Sequence, residues 1–259
     1  MIRCLHLADL HLGWSFENQE IPLDKAEILQ KERNLILKHA VDWAIDPKND
    51  INFIIIAGDL FDVHTPSLSL VEYVFTELKR LEDVGIRVIT VPGNHDEITY
   101  HNSVYREYGS EGRWPGTLVK NPMPKLVQKF KVKGTPIFIY SLAYTGGLTK
   151  VARLTELPKE NKPGLHIGVF HASLDWTGAS DRSLPLTSKA LLDAGYDYVA
   201  LGHIHKPRTI QIGHGLAVYP GLIGSKGFSD LGCGYMTIAK FHPQEDTKGN
   251  LYFKTNLET

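Results

Sequence analysis

A chain of 259 residues, 42% hydrophobic and 22% charged, holds enough apolar material for a sizeable core and excludes disorder as the main state. Its 28 Lys and Arg nearly cancel 29 Asp and Glu, so the net charge of -1 gives no overall attraction to nucleic acid or to an anionic membrane; any polyanion must be held locally. Two cysteines, Cys4 and Cys233, make no disulfide framework, and no stretch approaches the roughly 18 apolar residues of a membrane span, so a soluble protein of a reducing, cytoplasmic compartment is expected.

In chain order, Met1 to Asp9 is too short and too interrupted for a secretory leader, and Ile2 to Leu7 reads as a strand. Asp24 to Ile45 carries Ala26, Ile28, Leu29, Leu35, Ile36 and Val41 at near-helical spacing and is expected as a helix. A strand over Ile51 to Ala57, a helix over Ser67 to Leu81 and a strand over Ile86 to Val91 follow. This alternation implies right-handed crossovers and a parallel sheet. Asn102 to Pro124, rich in Gly and Pro, reads as a surface excursion.

Strands are expected again over Ile137 to Leu142, Leu165 to Phe170 and Tyr196 to Leu201. Beyond them lie short strand-like pieces, Thr209 to Ile212, Leu216 to Tyr219, Tyr235 to Phe241 and Leu251 to Lys254, broken by Gly, Pro and Asp. These suggest antiparallel additions and hence a two-sheet α/β sandwich. Neither a repeat nor a Ser/Gly-rich linker appears, so residues 1–259 are expected to form a single domain.

The polar residues gather where these strands end. Asp9-Leu10-His11 closes the first, Gly58-Asp59-Leu60-Phe61-Asp62 the second and Pro92-Gly93-Asn94-His95-Asp96 the third. His171 and Gly202-His203-Ile204-His205 close two later ones. Open α/β sheets place their ligand crevice past the carboxyl ends of strands, so five segments converge on one edge. Singly, each residue has an ordinary explanation as a turn residue or helix cap; the conjunction does not. Asp9, His11, Asp59, Asn94, His171, His203 and His205 make too many donors for one tetrahedral ion and suit two octahedral or five-coordinate ones. Two close cations need a bridging anion, and Asp59, on a central strand, is the candidate. Imidazole, carboxylate and amide without thiolate favour Mn²⁺, Fe or Zn²⁺.

In this order the motifs Asp9-x-His11, Gly58-Asp59-x-x-Asp62, Gly93-Asn94-His95-Asp96, His171 and Gly202-His203-x-His205 resemble the calcineurin-like metallophosphoesterase superfamily. The longer strings His6 to Gly13, Ala57 to Phe61 and Leu201 to Pro207, followed by Tyr219-Pro220-Gly221, are similar to the SbcD-type DNA repair nucleases. The resemblance spans roughly residues 1 to 225 and implies an α/β/β/α sandwich. It also implies Asp9, His11, Asp59 and His205 on one metal, with Asp59, Asn94, His171 and His203 on the other. His95 is then the residue that meets the phosphate and protonates or steers the leaving oxygen. Asp62 is its orienting partner, the alternative being a helix cap or turn carboxylate.

Three departures matter. After Tyr219-Pro220-Gly221 the sequence reads Leu222-Ile223-Gly224-Ser225 instead of the serine and downstream arginine common in the repair nucleases. Asp62 is not followed by the Arg of the protein Ser/Thr phosphatases, which disfavours a phosphoprotein substrate. The chain ends at Thr259, short of the full capping domain and of the helical segment that binds an ABC-type ATPase partner in that family. What is expected is a metal-dependent nuclease or exonuclease of DNA repair, using two divalent ions with Mn²⁺ favoured over Fe or Zn²⁺; homodimerisation is implied by analogy alone. A small-molecule phosphodiesterase for cyclic nucleotides or nucleotide conjugates is the alternative; a non-catalytic scaffold is disfavoured because every ligand position is present.

Local support for DNA is double-edged. Lys120, Lys125, Lys129, Lys131 and Lys133 either track a phosphate backbone or protect the solvent face of an edge strand. Trp14, Phe16 and Trp176 either stack on bases or pack their own loops.

Overall fold

The computed structural model describes residues 1–15, 21–110, 112–146, 154, 156–175, 184–226, 234, 236–245, 247, 249 and 251–258. In chain order the first part comprises β1 (Ile2–Leu7), α1 (Leu23–Asn34), α2 (Ile36–Ile45), β2 (Phe53–Ala57), α3 (Leu68–Asp83), β3 (Arg87–Val91), α4 (Val104–Ser110) and β4 (Thr117–Leu118). The second comprises β5 (Lys125–Val132), β6 (Thr135–Ser141), β7 (Leu165–Leu174), β8 (Leu184–Leu186), α5 (Ser188–Ala194), β9 (Tyr198–Gly202), β10 (Arg208–Ile212), β11 (Gly215–Tyr219), β12 (Thr237–Glu245) and β13 (Leu251–Glu258).

One sheet runs β13-β12-β1-β2-β3-β4 and the other β10-β11-β9-β7-β6-β5, with β8 beside β7. The pairs β1/β2 and β2/β3 are parallel, as the alternating pattern requires, while β1/β12, β12/β13 and β10/β11 are the antiparallel additions. Continuous apolar strands such as Phe53-Ile54-Ile55-Ile56-Ala57 form because both of their faces are covered. Phe53, Ile55 and Ala57 join Ile137, Ile139, Ile167, Val169, Tyr198 and Ala200 in the core between the sheets. Ile54 and Ile56 pack with Leu37, Val41, Val74 and Leu78 in the core beneath the helices. The layers are therefore those of an α/β/β/α sandwich.

Three local differences from the sequence pattern have identifiable causes. The span Asp24 to Ile45 is two helices, because the Tyr73 hydroxyl enters the helical ladder: it donates to the Asn34 carbonyl at 2.9 Å and accepts from the Lys38 N–H at 3.2 Å. β7 does not stop before His171 but runs on to Leu174, because Ala172 to Leu174 pair with Leu184 to Leu186 of β8. Asn102 to Pro124 is more than an excursion over the surface, since Tyr105 and Trp114 from this span are buried in the core beneath the helices.

The lysine-bearing strand β5 ends its sheet, and Lys125, Lys129 and Lys131 are exposed along it. Lys133 reaches Asp50 at 2.7 Å and the Met1 carbonyl at 3.3 Å, at the end of the molecule where β1 begins. The stripe thus occupies an edge, as expected of residues that block strand addition.

The sheets are tied together at that same end by Asp197. Its buried carboxylate accepts from the backbone N–H of His166 and of Phe253, each at 2.8 Å, one in each sheet, and faces His214 Nε2 at 3.2 Å. Asp197→Ala strands both buried amides, and an unsatisfied buried donor costs about 1–3 kcal/mol. The expected loss is about 3 kcal/mol, seen in thermal denaturation as a fall of roughly 6–12 °C.

Candidate metal centre

The site begins with backbone that side chains rarely tolerate. Asp9 (φ 53°), His11 (φ 46°), Asp59 (φ 49°) and His203 (φ 94°) all lie in the left-handed region. Such a conformation costs on the order of 1–3 kcal/mol per residue and persists where surrounding structure over-determines it. Here the loops after β1 and β2 are zipped together: Asp9 N donates to the Gly58 carbonyl at 3.1 Å, His11 N to Asp59 at 2.9 Å, Leu12 N to Leu60 at 2.9 Å and Asp62 N to Leu12 at 3.0 Å. Side chains finish the lock. His203 N donates to both Asp9 carboxylate oxygens at 3.0 Å, and His95 N donates to Asp59 Oδ1 at 2.9 Å. Glycine is demanded twice by close approach: a Cβ on Gly93 would lie 2.1 Å from Asp59 Oδ1, and one on Gly202 would lie 1.9 Å from the Ala57 carbonyl.

These constraints bring the expected residues together. Asn94 Oδ1 lies 2.9 Å from His171 Nε2 and 2.9 Å from His203 Nδ1. His11 Nε2 lies 3.3 Å from His205 Nε2. Between the two groups, Asp59 Oδ2 is 3.4 Å from His171 Nε2 and 3.7 Å from His11 Nε2. Ligand atoms of Asp9, His11 and His205 fall within 4.8 Å of one another, as do those of Asp9, Asp59 and His171, and those of His11, Asp59 and His95. An ion with ligands about 2.1 Å away needs those ligands roughly 3–4 Å apart, so the donor set fits divalent cations.

The imidazoles are pre-aimed. A carbonyl only accepts, so His171 Nδ1 carries a proton toward the Ala57 carbonyl at 3.0 Å and leaves Nε2 for the cluster. His11 Nδ1 faces Asp62 Oδ1 at 3.1 Å, which likewise turns its Nε2 inward. His95 Nδ1 meets the Asp62 carbonyl at 3.0 Å, with the carboxylate farther off at 3.6 Å. Asp62 therefore orients His95 through its main chain and His11 through its side chain, rather than His95 through its carboxylate.

Burial and the Asp59–His171 pair together set the electrostatics. Asp9, His11 and His171 have no exposed surface, and Asp59 is 1% exposed. Burial, with the Asp59 charge adding to it, pushes the Asp9 carboxyl up to about 7. For Asp59, burial acts upward but the neighbouring His171 imidazolium outweighs it and holds the carboxyl far below the usual range. His171 shows the converse: burial acts downward, yet the Asp59 carboxylate lifts it to about 9. Burial brings His11 down to about 4. The cluster by itself thus keeps protons where cations would compensate its carboxylates.

Three further residues escaped the sequence pattern. Asp96, inside the third motif, accepts from Gly93 N at 2.7 Å, Phe61 N at 3.0 Å and the Tyr105 hydroxyl at 2.7 Å, tying the loops after β2 and β3 together. Burial pushes its carboxyl up to about 7. Arg33 and Lys226 approach His11 from behind, at its carbonyl and at Nδ1. Asp96 had a signal in its motif; Arg33 and Lys226 had none, being placed by contacts across long sequence separations. Trp14 lies beside Lys226, whereas Phe16 and Trp176 lie outside the described residues.

The family described as Calcineurin-like phosphoesterase matches residues 2–207. The uncharacterized metallophosphoesterase YhaO of Bacillus subtilis is 27% identical over 234 residues, covering 88% of this chain and 54% of that protein. The DNA double-strand break repair protein Mre11 of Saccharolobus solfataricus is 30% identical over 219 residues, covering 79% of this chain and 50% of that protein. The SbcD component of the nuclease SbcCD of Bacillus subtilis is 24% identical over 290 aligned positions, covering 95% and 68%. The chain spans about half the length of the first two.

Metal ligation requires deprotonated donors, so loading should release protons. With His171 raised to about 9, it holds its proton at pH 7 in the metal-free protein, and Asp9, raised to about 7, is about half protonated there. Mn²⁺ titration in buffers of differing ionisation enthalpy should report release of at least one proton, and affinity should climb between pH 7 and pH 9. An affinity flat across that interval would contradict the assignment of His171.

Proposed function

This chain belongs to the calcineurin-like phosphoesterase family and is a metal-dependent phosphoesterase; from that premise we propose a dinuclear phosphodiesterase whose substrate is DNA, residues 1–259 acting as one catalytic domain. The observation that carries the dinuclear part of this reading is Asp59 Oδ2, 3.4 Å from His171 Nε2 and 3.7 Å from His11 Nε2. One carboxylate oxygen facing two imidazole groups is what a bridge between cations requires. Asp9, His11, Asp59 and His205 would hold one ion; Asp59, Asn94, His171 and His203 would hold the other. The thiolate-free donor set suits Mn²⁺, with Fe and Zn²⁺ as alternatives. Two such ions supply Lewis acidity to the phosphoryl oxygens and lower the pKa of water.

The remaining chemistry belongs to His95. Its side chain is 36% exposed, unlike the buried Asp9, His11, Asp59, Asn94 and His171, and its ring meets that of His11 edge-on with centroids 4.7 Å apart. Because Nδ1 stays committed to the Asp62 carbonyl, the proton that changes hands is the one on Nε2. In that role His95 hands the Nε2 proton to the leaving oxygen while Asp62 keeps the ring oriented.

DNA as substrate is supported by two of the relatives, one a double-strand break repair protein and the other a nuclease component. The observation favouring a small phosphodiester instead is the lysine stripe of β5, which runs along an edge toward Asp50 and Met1.

Two experiments test the reading. His95→Ala should retain both ions by elemental analysis yet lose about 10²–10⁴ in turnover, whereas Asp59→Asn should lose occupancy; equal metal loss in both would put His95 among the ligands. In side-by-side assays with Mn²⁺, DNA oligonucleotides should be cleaved, with activity abolished by chelator. Hydrolysis of cyclic nucleotides with DNA left intact would overturn the nuclease assignment in favour of the small-diester one.

A further inference from the structure

His11 is held from behind through one short segment. Arg33 of α1, 5% exposed, donates Nη1 to the His11 carbonyl at 2.5 Å, Nε to the Ser225 carbonyl at 3.0 Å and Nη2 to the Gly224 carbonyl at 3.3 Å. That guanidinium binds residues 224–225 to the strained backbone of His11. The next residue, Lys226, lays its Nζ 4.2 Å from the centroid of the Trp14 ring and 3.1 Å from Asp62 Oδ1. The same Asp62 oxygen receives His11 Nδ1 at 3.1 Å.

We propose that Lys226 is a positioning residue of the centre: its ammonium holds the Asp62 carboxylate against the Nδ1 side of His11, and so aims Nε2 at the ions. This rests on reading the cluster as a dinuclear site. The link is sheltered, with the Lys226 and Asp62 side chains 12% and 15% exposed, so it is not a loose surface pair of little consequence. The ammonium lies 3.3 Å from His11 Nδ1, but a protonated Nδ1 and an ammonium are both donors, so the two converge on Asp62 and do not bond each other.

The alternative is that Lys226 is only a nearby charge, and the two roles predict opposite signs. Removing a bare positive charge beside a cation site relieves repulsion and tightens metal binding. Loosening the partner that orients a ligand weakens it, typically by about 10–100-fold.

The experiment is calorimetric titration of Mn²⁺ into the metal-free full chain, for wild type, Lys226→Met, Lys226→Arg, Asp62→Asn and the Lys226→Met/Asp62→Asn double variant. Wild type should take up two ions. Lys226→Met should bind one of them about tenfold or more weakly, Lys226→Arg should stay within about threefold of wild type, and the double variant should be no worse than the poorer single, since both changes cut one link. Circular dichroism of the metal-free variants should match wild type, and since breaking a sheltered pair lowers the melting temperature whatever its role, the positioning role is read from which ion is weakened. Unchanged or tighter binding by Lys226→Met, or equal weakening of both ions, overturns the positioning role. A wild type that takes up no Mn²⁺ overturns both this role and the dinuclear reading, whereas two ions bound by wild type with Lys226→Met indifferent overturns the role of Lys226 alone.

Discussion

The site depends on how the fold accommodates the Asp59 carboxylate. It is 1% exposed, and a buried carboxylate is tolerated only where its oxygens are met by donors or opposite charge. Oδ1 accepts from the backbone of His95, and Oδ2 lies against His171 and His11. The loop after β3 comes this near only because Gly93 has no side chain, since a Cβ there would sit 2.1 Å from Oδ1. Asp59 thereby fixes the loop that carries Asn94 and His95, and its charge sets the protonation of the groups around it. Asp96, one residue past His95, ties the same loop down from its other side through Gly93 N, Phe61 N and Tyr105.

No single sheet builds this arrangement. Asp9, Asp59 and Asn94 follow β1, β2 and β3 of one sheet, while His171 lies in β7 and His203 and His205 follow β9 of the other. The donors meet only because Phe53, Ile55, Ile167, Val169 and Ala200 pack the sheets face to face. The polar contacts then cross that seam: His203 N to the Asp9 carboxylate, His171 Nδ1 to the Ala57 carbonyl. The strain in the left-handed residues is sustained by these crossing contacts, so the geometry of the centre and the integrity of the inter-sheet core are one cooperative property.

What was legible in the sequence follows from the range of the interactions. Strands such as Phe53–Ala57 are written in local runs of β-branched and aromatic residues, and ligand-bearing turns are written in short motifs at their ends. The donor cluster was therefore readable residue by residue. What was not readable depends on partners far away in sequence. Nothing near Asn34 announces that Tyr73 will enter the helical ladder, and nothing near Phe170 announces that β8 will extend β7 past His171. Lysines alternating along β5 are equally consistent with phosphate binding and with edge protection, and that β5 is an edge at all is settled only by the sheet order. Arg33 and Lys226 act on His11 across 22 and 215 positions, which no local pattern encodes.

The distribution of charge also orders the events at the crevice. Asp9, Asp59, Asp62 and Asp96 all lie in or against the cluster, and the nearby cations Arg33 and Lys226 are engaged with backbone carbonyls and with Asp62. A phosphodiester meets no net attraction from such side chains, and the overall charge of -1 supplies none at longer range. Divalent cations would take the place of the proton that His171 holds and meet the carboxylates it compensates, behind buried walls where screening by solvent is weak. Attraction for a phosphate would therefore come with the ions. Selectivity for a phosphoester is then a property of the loaded centre, and the protein's own part is to bring its donor side chains together from both sheets, four of them on strained backbone.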